Sequence, residues 1–141
     1  YEVYLEQYQM KIQIESRIIA DIARNHIIPT AINYQNKLIE NVKGLKELMD
    51  TKTYTKLSKE QISMITEISE RISTIISDVN EMTNQRRKAN KISDVEKIAK
   101  AYCNRVLPFF ENIRYQTDKL ELLINDEDWP LPKFRELLFT K

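Results

Sequence analysis

The sequence predicts an all-α fold: an elongated antiparallel three-helix bundle with proline kinks near Pro29 and Pro108 and a short C-terminal helix. Three observations lead to it. Gly44 is the only glycine among 141 residues, so the backbone almost never meets the residue that most readily loosens helix. Apolar residues return at three- and four-residue steps along most of the chain, the spacing that lines one face of an α-helix. Turn chemistry gathers at only two interior places, near residues 50–57 and 89–93, which divides the periodic pattern into three long tracts.

The first tract covers about residues 3–49. Its seam reads Leu5, Tyr8, Ile12, Ile19, Ile22 and His26, then Ile32, Leu38, Val42, Leu45 and Met49. Pro29 removes a backbone donor and crowds the carbonyl four residues back, which predicts a kink near Ile28 without a chain reversal. From Asp50 to Leu57 threonine and lysine replace the apolar rhythm, and this stretch reads as the first connection.

Ser58 stands three residues before Gln61, a capping-box spacing that opens a second helix over about residues 59–88. Its seam, Ile65, Ile68, Ile72, Ile75, Val79 and Met82, is the most regular in the chain and suits a helix packed lengthwise against others. The tract ends in Asn84, Gln85, Arg86, Arg87 and Lys88, where cations suit the negative end of the helix dipole. Ser93 and Glu96 repeat the capping-box spacing and open a third helix over about residues 94–124. It carries Val95, Ile98, Tyr102, Val106, Phe109, Ile113, Leu120 and Leu123, and Pro108 lies inside it. After Asp126, Glu127 and Asp128, the run Trp129 to Pro132 reads as an extended anchor, with Pro132 opening a last helix over 133–139.

Helices of roughly 30 to 45 residues are about 45 to 70 Å long, whereas a compact chain of this size has a radius of gyration near ~14 Å. The expected shape is therefore a rod, with residues 1–141 forming one helical domain. The chain starts in mid-pattern without a methionine, which reads as a piece of a longer protein. On that reading the end carrying Tyr1, Tyr4 and Tyr8 projects past the bundle or lies under the Trp129 tail.

Composition excludes several kinds of chemistry. One glycine cannot build a phosphate loop, a dinucleotide fingerprint or a nucleophile elbow. One His and one Cys cannot supply a zinc-protease pair, a four-ligand zinc site or an intramolecular disulfide. Lys and Arg number 22 against 21 Asp and Glu, which gives no global basic excess for a nucleic-acid partner. Charges interrupt every stretch of spanning length, so no membrane partner is expected either. The unpaired cysteine suggests a reducing compartment, and a cytoplasmic location is expected.

No residue is assigned a catalytic, cofactor-binding or metal-binding role. His26 reads as a hydrogen-bonded, partly buried histidine and Cys103 as a small apolar filler. Arg86 and Arg87, with Lys88 and Lys91, form a dipole-favoured helix end that could also grip phosphate or an acidic partner surface. Tyr1, Tyr4 and Tyr8 make an aromatic stripe at helical spacing, suited equally to an interface or to local packing. Trp129 is foremost a structural anchor. The candidate interface residues are thus Tyr1, Tyr4, Tyr8, Arg86, Arg87 and Trp129.

Two stretches resemble a known family. Ile14 to Met49 contains NHIIPTA at Asn25 to Ala31, and Tyr102 to Phe139 contains the pattern DxxWPLPKxRELLF at Asp126 to Phe139. Both are similar to the C-terminal helical region of type III glutamine synthetases, with the middle helix agreeing in pattern more than in residues. The resemblance implies a parent enzyme that joins ammonia to glutamate using ATP and a divalent metal, Mg or Mn. It implies a large ring-built oligomer of identical cytoplasmic subunits, with metal and phosphate ligands in an upstream catalytic domain. The expected partners of this segment are its own catalytic domain and neighbouring subunits, and its expected role is noncatalytic. A free-standing helical binding or sensor module is the alternative.

Overall fold

The computed structural model describes residues 1–129, and these are helical almost throughout. The expected short helix at 133–139 lies outside the described residues. A first rod comprises α1 (Glu2–Ile22), a five-residue π-helical turn (Ala23–Ile27) and α2 (Ile28–Leu48). A short α3 (Thr51–Leu57) leads into the long α4 (Lys59–Asn90). The third rod comprises α5 (Val95–Ala101), a second π turn (Tyr102–Val106) and α6 (Pro108–Leu123). At the usual rise per residue the first rod is about 70 Å long.

Cross-helix hydrogen bonds fix how the rods run. Arg24 donates to Asn80, while Gln35, further along the first rod, donates to the Ile65 carbonyl and to Ser69. Partner numbers on α4 fall as those on the first rod rise, so the two are antiparallel. Arg71 donates to Gln116 and Tyr102 to Asn90, so the third rod is antiparallel to α4 as well.

The core lies along α4. Ile68, Ile72, Ile75, Val79 and Met82 are all buried, and they pack with Ile12, Ile27, Tyr102, Val106, Ile113 and Leu120 from the flanking rods. Small residues let the first rod approach closely: Ser16, Ala20, Ala23 and Ala31 are buried along it.

Both interior prolines follow a wide turn. Each π turn spans the sixth to the second residue before its proline, and each contains an asparagine four residues before it, Asn25 ahead of Pro29 and Asn104 ahead of Pro108. The Ile28 N–H donates to the Ala23 carbonyl and the Leu107 N–H to the Tyr102 carbonyl, each five residues back. A regular helix would drive the proline ring into the carbonyl four residues earlier, and the wider turn relieves that crowding. The extra residue rotates everything downstream.

This rotation corrects part of the predicted first seam. His26 and Ile32 are exposed, and Ile27 and Ala31 take the buried positions instead. The expected connection over Asp50 to Leu57 is mostly the helix α3, because Thr51–Leu57 contains neither glycine nor proline to break it; the break is confined to the extended residues Met49 and Asp50. Neither predicted capping box forms. The Ser58 hydroxyl donates at 2.6 Å to the Tyr54 carbonyl, joining α3 to α4 through a buried corner. At α5 the cap is Asp94, whose carboxylate accepts the Lys97 N–H at 3.0 Å, and Ser93 precedes it.

Two stability predictions follow from burial and from the caps. Ile75 is fully buried and Ile76 is 42% exposed. Ile75→Ala is expected to cost about 2–5 kcal/mol in chemical denaturation and Ile76→Ala less than about 1 kcal/mol. Asp94→Ala should cost about 1 kcal/mol in the same measurement, with Ser93→Ala near neutral.

Candidate interaction surfaces

The aromatic end of the first rod is flanked by α5. Tyr4 and Tyr8 stack with ring centroids 6.5 Å apart and planes 19° from parallel. Together with Tyr1 and Leu5 they form one wall of a groove of about 180 Å³, and Glu96, Ala99, Lys100 and Cys103 form the other. Interaction with the Cys103 side chain, followed by burial, pushes the Tyr8 phenol above its ordinary pKa. Tyr8 is half-buried, while Tyr1 and Tyr4 are 81% and 65% exposed. The stripe thus neither overhangs the bundle nor lies under Trp129. Lys37 on α2 binds the Asp128 carboxylate at 2.8 Å, which places the following Trp129 against the first rod far from Tyr8. Trp129 is 7% exposed and belongs to the core.

The cationic surface extends further than its run in the sequence. Arg86 is half-buried, and its pKa is held below the usual guanidinium value, first by burial and then by the positive charge of Arg17, with Arg87 and Arg24 adding smaller contributions. Arg17 and Arg24 reach this place from the first rod, seven residues apart, opposite Arg87 and Asn80 on α4, also seven apart. Tyr102, hydrogen-bonded to Asn90, lies beneath them, with its phenol pushed up by burial and pulled back by Arg86 and Arg17.

Sequence reasoning found Arg86 and Arg87 but missed Arg17 and Arg24. Their seven-residue spacing was visible, but only the antiparallel pairing sets them against α4. Single Arg residues on a helix face give no sign of gathering until that pairing is known.

The remaining candidates are dispersed. His26 is exposed on the first π turn, and Cys103 is a half-buried free thiol on the second. Among the described residues no three His, Cys, Asp or Glu side chains converge where they could hold a metal ion. Among the same residues no helix is long and apolar enough to cross a membrane.

An apolar groove of about 360 Å³ separates the first rod from α6, lined by Ile19, Ile22, Ile27, Phe110 and Ile113. It is continuous with the core.

The fold and these surfaces define an all-α bundle module. The family described as glutamine synthetase C-terminal domain matches residues 1–46. The chain is 49% identical, over 99% of its length, to a glutamine synthetase of Bacteroides fragilis. It is 22% identical over 99% of its length to a type-3 glutamine synthetase of Dictyostelium discoideum, and 21% identical over the same share to a glutamine synthetase of Butyrivibrio fibrisolvens. By sequence, the chain is similar to the C-terminal region of glutamine synthetases, one of them a type-3 enzyme. It spans about one fifth, 19%, of the length of each of these curated relatives.

Asp78 on α4 provides a pH test of the packing. Burial raises its carboxyl pKa above the usual carboxylate value, so the folded state binds that proton more tightly than the unfolded chain does. Its contribution favours folding below the unfolded pKa and is lost as pH rises through the folded one, so the ionised group is a net cost at neutrality. Asp78→Asn is expected to raise the melting temperature at pH 7, with the gain vanishing near pH 3.

Proposed function

We propose that this module is a noncatalytic structural element of a glutamine synthetase, packing against its own catalytic domain and against neighbouring identical subunits of a cytoplasmic oligomer. The parent enzyme would ligate ammonia to glutamate with ATP and Mg or Mn. The observation that carries this reading is the 49% identity to a glutamine synthetase, extending over 99% of a chain that is one fifth of that protein.

The polar groups support it. Gln35, Arg24, Arg71, Tyr102 and Lys37 all donate across the bundle and hold helices or the C-terminal segment in place. On this reading metal binding, ATP binding and the ligation itself belong to the remaining four fifths of the enzyme. The exposed Tyr1 and Tyr4 and the arginine face are the surfaces available for contact.

The test is deletion of residues 1–141 from the full-length enzyme, followed by sedimentation analysis and an assay of ligase activity. The expected result is a shift to smaller species with a several-fold fall in specific activity. Unchanged assembly together with unchanged activity would overturn the reading.

A further inference from the structure

We propose that Arg17, Arg24, Arg86 and Arg87 form a docking surface for an acidic segment of the same enzyme outside residues 1–141, one that presents carboxylates about 10 Å apart. This inference rests on the structural role proposed above and gives it a specific contact.

Four observations support it. First, the four arginines are gathered by the fold: Arg24 meets Asn80 at 3.3 Å, and the antiparallel register sets Arg17, seven residues earlier, opposite Arg87, seven residues later. Second, among the described residues none of the four has a carboxylate within 4.0 Å, although three Lys or Arg pairs elsewhere do. Third, two acids close to them in sequence on the same rods have other partners: Asp21 accepts from Asn25 and Glu81 accepts from Gln85. Fourth, the Arg86 Nε is screened from solvent and donates to no group among the described residues. A guanidinium that is partly desolvated, surrounded by like charge and left with an unused donor is favoured by an incoming anion.

The layout selects the occupant. Arginines seven residues apart on one helix lie about 10 Å apart along it, too far for one small oxyanion to bridge. A rod or loop bearing two or more Asp or Glu side chains fits the two levels, and planar guanidinium groups pair carboxylates in a bidentate manner. In the relatives, four fifths of the protein lies outside the matched region and is available to supply it.

The test uses the full-length enzyme with Arg17→Glu and Arg87→Glu together, both at exposed positions, alongside the milder Arg17→Gln/Arg87→Gln pair. Circular dichroism verifies that helix content is retained, and sedimentation across a sodium chloride series reads assembly. The charge-reversed enzyme is expected to dissociate at a salt concentration at least ~two-fold lower than wild type, with the Gln pair in between. Salt midpoints equal to wild type in both variants would overturn the proposal. So would a saturable rise in melting temperature with inorganic phosphate that both variants lose while assembly is unaltered, since that would mark a small-anion site. If removing residues 1–141 disrupts assembly and the arginine variants do not, the docking surface fails and the structural role stands.

Discussion

Every other contact in the molecule depends on the apolar seam of α4 finding partners on two sides at once. Ile68, Ile72, Ile75, Val79 and Met82 lie on a stripe too wide to be covered by one neighbouring helix, and the first and third rods close over it from opposite flanks. Among the described residues no strand competes for this surface. The polar bonds between rods, Arg24 with Asn80, Gln35 with Ile65 and Ser69, and Arg71 with Gln116, set the register of rods that the seam has already brought together.

The two prolines illustrate how a long helix tolerates a residue that should break it. In both cases the chain inserts a wide turn that ends two residues before the proline, continues as helix and resumes burying apolar side chains: Ile27 and Ala31 around the first, Val106 and Ile113 around the second. Wide turns of this kind often accompany functional positions, and here the two hold His26 and Cys103, the single histidine and cysteine of the chain. Packing on α4 accounts for the buried members of both turns, Ala23, Ile27, Tyr102 and Val106.

What could be read from the sequence depended on side-chain size and on regular spacing. The α4 seam was legible because isoleucine, valine and methionine at unbroken three- and four-residue steps leave no second phase to choose. The first rod was legible as a helix, but its buried face was misread at His26 and Ile32, on either side of Pro29, where the wide turn shifts the phase and alanines do the packing; Leu38 and Val42 pack as expected. Alanine carries little hydropathy signal, so Ala20, Ala23 and Ala31 were passed over in favour of His26 and Ile32. The caps failed for a related reason: a serine three residues before a glutamine or glutamate is necessary for a capping box but does not prevent the hydroxyl from bonding backward, as Ser58 does, or a better acceptor such as Asp94 from following it. Half of the arginine face was visible as a run, and the other half exists only because two helices pass each other in opposite directions.

The wide turn before Pro29 also bears on how this segment could change in length. Removing a single residue from Ala23–Ile27 would force a choice: the backbone either reverts to ordinary helical pitch, which presses the Pro29 ring onto the carbonyl four residues earlier, or keeps the wide turn, in which case α2 swings by about 100° relative to α1. In the second case Ala31 and Val42 would leave the interface and Gln35 would lose its hold on Ile65. The turn therefore acts as a counting device. The number of residues between Ile22 and Pro29 is constrained more tightly than their identities, and drift in this stretch should proceed by substitution far more often than by insertion or loss.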